Sequence, residues 1–282
     1  MLLRTRLARL GSDALLYGIL IGVSVFMMLP FVWMLSTSLK PADEVFGLPP
    51  KLISPRASLE SYIFLIQHYD IFRILLNTFF IAASSTALQL IFCSLGGYGF
   101  AKFKFPGQGA LFGFLLGTMI IPFTVTMVPL YIIMRNLHWI DTYWALIIPW
   151  AANAFGIFFF RQYILSISDE LLDAARMDGA DEFAIYWRII LPIIAPGLTS
   201  LGLLSFMGSW NSYLWPLIIL KSPENFTLPL TINSLSGPVG RTIYNVQMAA
   251  SVISILPLLI IFIIFQRRFV EGIQAGAIRG AG

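Results

Sequence analysis

Six apolar stretches, each long enough to cross a lipid bilayer as a helix, constrain this sequence most. A helix needs about 20 residues to cross the roughly 30 Å hydrocarbon core of a bilayer. The stretches lie at about 14–35, 74–93, 110–131, 143–160, 193–220 and 246–265. A backbone in lipid must satisfy its own hydrogen bonds, and in an open chain a helix does so. We therefore predict an all-α membrane protein with six transmembrane helices, forming a single domain over residues 1–282.

The composition supports a bilayer environment and argues against several other classes. Charged residues make up 11% of the chain and the mean hydropathy is +0.82, whereas soluble domains carry about 25% charged residues. The net charge of +4 is scattered between apolar stretches, so it does not form the basic stripe of a nucleic-acid-binding protein. The single Cys93 and the distant His68 and His138 do not form a ligand set, so we predict no metal site.

Lysine and arginine determine the predicted orientation. With the N-terminus in the cytoplasm, 11 of the 18 basic residues fall on inner segments. The strongest contrast lies at the ends of the chain, at Arg4, Arg6 and Arg9 before the first stretch and at Arg267 and Arg268 after the last. Inner loops of membrane proteins are enriched in these residues. We therefore predict that both termini are cytoplasmic, in the inner membrane of a bacterial cell.

The loop at 168–191, between the fourth and fifth stretches, is dense in charge and in helix-capping signals. Its first 16 residues hold six acids and one base. Ser168 can cap a helix whose first turn is acidic, and Gly179 can end that helix in a left-handed conformation. Asp181 can cap a second helix, which we expect Pro192 to stop. A solvated loop with two amphipathic pieces is the alternative interpretation.

The order of residues in this loop matches a known signature. Asp-Ala-Ala-x-x-Asp-Gly-Ala at 173–180, followed by Arg-Ile-Ile-Leu-Pro-x-x-x-Pro at 188–196, resembles the Glu-Ala-Ala loop of ABC importer permeases. Asp173 stands where that family most often has glutamate. The chain is similar over nearly its whole length to the six-span partner of maltose-type carbohydrate permeases. Further matching stretches lie at 38–41, 76–78, 99–105, 210–217, 266–270 and 274–280.

The resemblance implies a type I ABC importer permease architecture and a set of partners. These are a second homologous permease subunit, two cytoplasmic ATP-binding subunits and an extracytoplasmic solute-binding protein. It implies that the loop couples to an ATPase, through Asp173, Ala174, Ala175, Asp178, Gly179 and Ala180. It also implies that Gln274, Gly276 and Gly280 reach the ATPase dimer, with a frayed terminus as the alternative. The sequence lacks a phosphate-binding loop, so we expect no cofactor on this chain and ATP bound by the partners.

Polar and aromatic residues within the stretches are candidates for the solute path, because they are costly in lipid. The candidates are Asn77, Trp210, Asn211 and Tyr213, with Gln89 and Asn153 as further polar positions. Packing between helices is the alternative role for each. Trp33, Trp144 and Trp215 are interpreted instead as residues of the membrane–water interface.

Three functions remain open. The first is a non-catalytic permease subunit of a sugar importer, and the second is a permease for glycerol phosphate. A phosphate would favour a cation deep in the membrane, and the six stretches contain none. The third is an integral-membrane enzyme, which would need acids, histidines or a nucleophile clustered at one membrane face. The acid cluster of this chain lies in the 168–191 loop without a histidine nearby.

Overall fold

The structure, a computed structural model, describes residues 2–236 and 243–279, with side chains from 15 to 236 and from 243 to 266. These residues are mostly helical, with loops and turns between the helices, and the described part of the chain includes no β-strand. By internal contacts the chain divides into two compact units, one of Met1–Tyr69 with Ile232–Ile255 and one of Asp70–Thr231 with Leu256–Gly282.

The first unit begins with helix α1, Leu2–Ser38. Its apolar part, Leu15–Ser38, contains an 18-residue window with no buried residue, which suits a helix surrounded by lipid or by another subunit. Helix α2, Glu60–His68, lies in the Pro-rich segment that follows α1. Asn245 Nδ2 donates to the Lys40 carbonyl at 3.1 Å, which ties that segment to helix α14.

The second unit is built around helix α3, Ile71–Lys102, which extends the predicted second stretch at both ends. Helices α4, Gln108–Gly117, and α5, Phe123–Asn136, follow. They form a bent pair with an angle of 102° at the break. Pro122 lies at this break, as expected from its missing N–H, whereas Pro129 is accommodated inside α5.

The fourth and fifth predicted stretches are both broken. Helix α6, Trp144–Ile147, is followed by a 3₁₀ turn and then by α7, Ala154–Leu165, with a bend of 41° between them. The remaining helices are α8 Asp169–Met177, α9 Glu182–Ile185, α10 Leu191–Ile193, α11 Ala195–Trp210, α12 Leu214–Ile219, α13 Leu228–Ser234 and α14 Tyr244–Arg279. The fifth stretch breaks between α11 and α12, at residues 211–213.

The expectation that Pro192 stops the second loop helix is wrong. The helix that begins at Glu182 passes through a π-helical turn at Tyr186–Ile190 and continues to Ile193. Pro192 lies two residues beyond the π-helical turn, and the helix ends one residue later at Ile193. The chain bends by 77° only at the junction with α11.

The helices of the second unit pack closely at small residues, as membrane helices do. A Cβ added to Gly97 of α3 would lie 2.7 Å from Phe160 Cβ of α7. A Cβ added to Gly156 of α7 would lie 2.7 Å from Cys93 Sγ of α3. By length and composition, the described residues contain three helices able to cross a membrane, or up to six if each bent pair is one span. The predicted number of six agrees with the upper value.

Candidate functional site

The segment 168–193, called here the docking segment, begins with the predicted helix and turn. Ser168 Oγ accepts a hydrogen bond from the Glu170 N–H at 3.2 Å, so the predicted N-cap is confirmed. Gly179 has φ +84°, and the N–H groups of Gly179 and Ala180 bond to the carbonyls of Arg176 and Ala175. This pair of bonds is the Schellman pattern that ends a helix at a left-handed residue. Asp181 Oδ1 caps the second helix at the Ala184 N–H, 2.7 Å away.

Helix α8 has one buried side and one exposed side. Leu172 is buried in the apolar core of the second unit, which fixes the rotation of α8. Asp173, Ala174 and Asp178 are exposed, whereas Ala175 and Ala180 are half-buried. Met177 is 88% exposed although it is large and apolar. The sequence analysis did not select Met177, although an apolar residue between Arg176 and Asp178 was an available signal.

Ion pairs join the two helices of the docking segment. Arg176 Nη1 donates to Asp173 Oδ1 at 2.6 Å, and Arg176 Nε donates to Glu182 Oε1 at 2.8 Å. Hydrogen bonds to Glu182 and Asp173 raise the pKa of the Arg176 guanidinium. Asp173, predicted to meet a basic group on an ATPase, therefore already has a partner within the chain. Its side chain is 67% exposed, so the carboxylate also remains accessible to a second protein.

The docking segment is bonded to the end of α3. Tyr98 Oη donates to Glu182 Oε2 at 2.6 Å. Lys102 Nζ donates to the Ile167 carbonyl and to Asp169 Oδ1, each at 2.6 Å, and this bond lowers the pKa of the Asp169 carboxyl. The Ser94 and Tyr186 hydroxyls lie 2.6 Å apart. The sequence analysis missed these bonds between α3 and the docking segment. The available signal was the spacing of the polar residues at 94, 98 and 102, which is about one helical turn.

A cavity of about 380 Å³ lies within the second unit, where the broken helices meet α3. Non-helical backbone at membrane depth is tolerated where it is buried in protein or lines a cavity. Both breaks contribute, through Asn153 and Ser212. The other polar side chains on its wall are Ser85, Gln89, Ser205 and Ser209, with the Trp150 and Trp215 rings beside them. Within the described wall, no lining residue is charged.

Two polar residues of the cavity wall, Asn153 and Ser85, differ in how their hydrogen-bonding groups are satisfied. Asn153 Oδ1 accepts from the Gly156 N–H at 2.7 Å and so caps α7, which leaves the Nδ2 group of Asn153 as its donor toward other partners. Ser85 is buried and its Oγ has no hydrogen-bond partner among the described residues. Buried polar atoms normally have a partner, so Ser85 is an unusual feature of this wall.

The structure does not place the four predicted solute-path residues on this cavity. Asn77 Nδ2 donates to the Glu224 and Phe226 carbonyls at 2.8 and 3.2 Å, which holds an outer loop. Trp210 is buried with its ring stacked on Phe206. Asn211 Nδ2 bonds to a carbonyl of its own helix, and Tyr213 packs against an apolar cluster. Solute contact by these four stays a prediction, while Gln89 and Asn153 do line the cavity.

The tryptophan and C-terminal predictions have mixed outcomes. Trp215 is buried, and its Nε1 donates to the Ala145 carbonyl at 2.8 Å, so its interfacial assignment is wrong. Trp33 and Trp144 are exposed as expected.

Gln274 and Gly276 lie within helix α14, which ends at Arg279. Gly280 lies outside the described residues, and the ATPase contact of this tail stays a prediction.

Asp141 bonds to the loop that follows α12, and we call this contact the outer junction. The predicted topology places it on the outer side of the membrane, whereas the docking segment is placed in the cytoplasm. The Asp141 carboxylate accepts hydrogen bonds from the Lys221 and Ser222 N–H groups at 2.9 and 3.1 Å. Asn225 Nδ2 donates to the Asp141 carbonyl at 3.0 Å. Burial raises the pKa of the Asp141 carboxyl, but the hydrogen bonds to the carboxylate from the Lys221 and Ser222 N–H groups and from the Ser222 and Asn225 side chains outweigh it and hold the pKa at about 2.

Apolar helices that break at a polar cavity, with a capped helical loop between two of them, are typical of a polytopic membrane transport protein. The chain belongs to the family described as the binding-protein-dependent transport system inner membrane component, whose model matches residues 93–274. It is an integral inner-membrane protein and a permease subunit of the ABC importer class.

Named relatives and a solved structure agree with this assignment. The chain is 39% identical to the arabinooligosaccharides transport system permease protein AraQ of Bacillus subtilis (strain 168), covering 92% of each chain. It is 31% identical to the lactose transport system permease protein LacG of Rhizobium radiobacter, covering 95% of this chain and 97% of the relative. It is 32% identical to the sn-glycerol-3-phosphate transport system permease protein UgpE of Yersinia pestis, covering 90% and 93%.

The fold is similar to that of a bacterial ABC transporter involved in the import of the acidic polysaccharide alginate. The TM-score is 0.80 at 26% identity, and the match covers 91% of this chain and 96% of that chain. A second structure has a TM-score of 0.64 at 17% identity. It is the alginate transporter in complex with a pentasaccharide-bound periplasmic protein.

Proposed function

We propose that this chain forms half of the translocation path for an uncharged sugar or oligosaccharide. The observation that carries the solute class is the cavity wall, which combines neutral hydrogen-bonding groups with aromatic rings. Hydroxyl-rich solutes are held by such groups, because neutral amides and hydroxyls can both donate and accept. The volume of about 380 Å³ lies within the range of small-molecule sites.

Gln89 and Asn153 are the side chains proposed to select the solute. Each presents an amide on the wall, and the Asn153 orientation is fixed by its cap bond to Gly156. Loss of one neutral hydrogen bond costs about 1 kcal/mol. Gln89→Leu is therefore expected to lower solute-dependent transport by about fivefold. Gln67 is an exposed glutamine of α2, so Gln67→Leu makes the same chemical change away from the cavity and serves as the control.

The docking segment is proposed to bind a cytoplasmic ATPase through the exposed side of α8. Asp173, Ala174, Ala175, Asp178, Gly179 and Ala180 form this contact, together with Met177. An exposed apolar side chain surrounded by acids suits a cleft with an apolar floor and basic walls. ATP binding and hydrolysis belong to that partner, so this chain is assigned no cofactor and no catalysis. A homologous permease and an extracytoplasmic binding protein complete the assembly.

A charged solute is the second candidate, because one relative is named for sn-glycerol-3-phosphate and one structural neighbour imports an acidic polysaccharide. An anion in a membrane cavity needs a compensating cation, and within the described wall there is none. A charged solute would therefore require a cation from the partner permease. An uptake experiment with neutral and anionic solutes distinguishes the two candidates.

Uptake by the assembled transporter tests the solute class. Cells that express the complete complex, in a host lacking its own uptake routes, are given radiolabelled arabinotriose, lactose, glycerol 3-phosphate or an alginate trisaccharide. We expect uptake of at least one neutral sugar that requires this chain. Uptake restricted to the two anionic probes would contradict the proposed solute class.

A further inference from the structure

Three polar side chains on α3 form a regular row that contacts the docking segment. Ser94, Tyr98 and Lys102 are spaced by four residues, so they lie on one face of α3, one helical turn apart. In the folded chain Ser94 meets Tyr186, Tyr98 meets Glu182, and Lys102 meets Asp169 and the Ile167 carbonyl. We call this set of contacts the α3 ladder.

The ladder is shielded from water where α3 contributes to it. Ser94 and Tyr98 are buried, and the Lys102 side chain is 5% exposed. A buried ammonium group is costly unless it is paired, and Lys102 meets this need with the Asp169 carboxylate of the docking segment and the Ile167 carbonyl just before it. The Ser94–Tyr186 bond is buried and the Tyr98–Glu182 bond is partly buried, whereas Asp169 is 79% exposed where it meets Lys102. The buried part of the ladder therefore holds its geometry more firmly than a surface ion pair does.

The ladder joins both helices of the docking segment to α3. Lys102 contacts the start of α8, at Ile167 and Asp169, whereas Tyr98 contacts Glu182 at the start of α9. Arg176 then connects α8 back to Glu182. The segment is therefore fixed at two points separated along its length, so it cannot pivot about one contact without breaking the other.

The same helix reaches the cavity. Gln89 and Ser85 lie on the cavity wall, about 1.4 and 2.5 turns from Ser94 along α3. A helix is stiff over this distance because every residue in it adds a backbone hydrogen bond. Helix α3 therefore connects the contacts of the docking segment to the cavity wall as one continuous element.

We propose that the α3 ladder is the mechanical link that makes α3 move with the docking segment, so that Ser94, Tyr98 and Lys102 are positioning residues for coupling. The inference rests on the proposed function, because it assumes that an ATPase moves the docking segment. Rigid-body movement of packed elements is a common route of such coupling. Loss of a ladder bond leaves the ATPase contact in place but lets the segment move without α3.

The test measures solute transported per ATP hydrolysed in proteoliposomes. They contain this chain, its partner permease, the ATPase subunits and the binding protein loaded with arabinotriose or lactose, whichever the wild type transports. Tyr98→Phe removes one hydroxyl, and Lys102→Met removes one cation at similar volume. Both are expected to lower the ratio about fivefold, the lower end of coupling between sites, while the ATPase still co-purifies.

Matched variants separate positioning from general damage. Tyr131→Phe and Lys104→Met make the same chemical changes outside the ladder and are expected to keep the wild-type ratio. Lys102→Arg keeps the cation and its donors, so it is expected to restore the ratio lost in Lys102→Met. If Lys102→Met fails to assemble, the result for Tyr98→Phe decides.

The outcomes distinguish this inference from the proposed function. An unchanged transport-to-ATP ratio in Tyr98→Phe overturns the ladder, and so does an equal loss in the Tyr131→Phe control. If the wild-type chain fails to retain the ATPase or to transport any neutral sugar, the proposed function fails instead. A lowered ratio with the ATPase retained, recovered in Lys102→Arg, is the result that supports the ladder.

Discussion

Substitution of Gly179 tests the docking segment most sharply, because its cost is set by backbone conformation alone. Gly179 has φ +84°, and a Cβ added there would have no heavy atom within 4 Å. A side chain therefore meets no steric obstacle from neighbouring elements. The left-handed conformation itself costs a non-glycine residue about 1–2 kcal/mol. Valine is expected to reach at least the upper value because it is β-branched.

The conformational cost at residue 179 is expected to lower the affinity of the docking segment for the ATPase. If the ATPase accepts the turn as it stands in the structure, 1–2 kcal/mol against that turn weakens the apparent affinity by about 5- to 30-fold. Gly179→Asn is the matched variant, because asparagine adopts the left-handed region more readily than other side chains. Ala180→Val adds similar volume next door at a residue without positive φ, so we expect a smaller effect than for Gly179→Val.

The assay is a titration of the purified permease pair with the ATPase, followed by uptake in proteoliposomes. We expect affinity to fall in the order wild type, Gly179→Asn, Gly179→Val, with uptake following the same order. Equal affinities for wild type and Gly179→Val would refute the reasoning, since the cost of the turn would then have no bearing on docking. A loss in Gly179→Asn as large as in Gly179→Val would also refute it.

Two further substitutions and one deletion test other parts of the molecule. Asp173→Lys reverses a charge on the exposed side of α8 and opposes Arg176, so ATPase co-purification should fall, whereas Asp173→Glu should retain it. Gly97→Ala places a Cβ 2.7 Å from Phe160 Cβ. We therefore expect much less folded protein when the detergent-extracted protein is analysed by size-exclusion chromatography. Gly99→Ala, with no atom within 4 Å, should not show this loss. Deletion of 274–282 should lower transport but not membrane insertion, and unchanged uptake would favour a frayed terminus.

Local signals in the sequence predicted local structure well. Ser168, Gly179 and Asp181 take the capping and turn conformations expected of them, since each depends on the chemistry of a few adjacent residues. Pro192 shows the limit of such rules, because the π-helical turn before it changes which backbone groups need a partner. That turn depends on packing beyond the local sequence.

The cavity could not be located from the sequence for a physical reason. Polar residues such as Asn77 and Gln89 occur on the same helix and have similar amides, yet one holds an outer loop and the other lines the wall. Which of them faces the cavity depends on the breaks at residues 151–153 and 211–213. Those breaks lie inside apolar stretches that hydropathy treats as continuous.

The central claim is that this chain carries a neutral sugar across the membrane with energy from a separate ATPase. The most direct measurement is accumulation of labelled arabinotriose or lactose in proteoliposomes holding the complete complex, with ATP supplied on the side of the ATPase. The account predicts accumulation that requires ATP and stops when this chain lacks residues 168–193. Accumulation at the same rate without ATP, or with the docking segment removed, would contradict it.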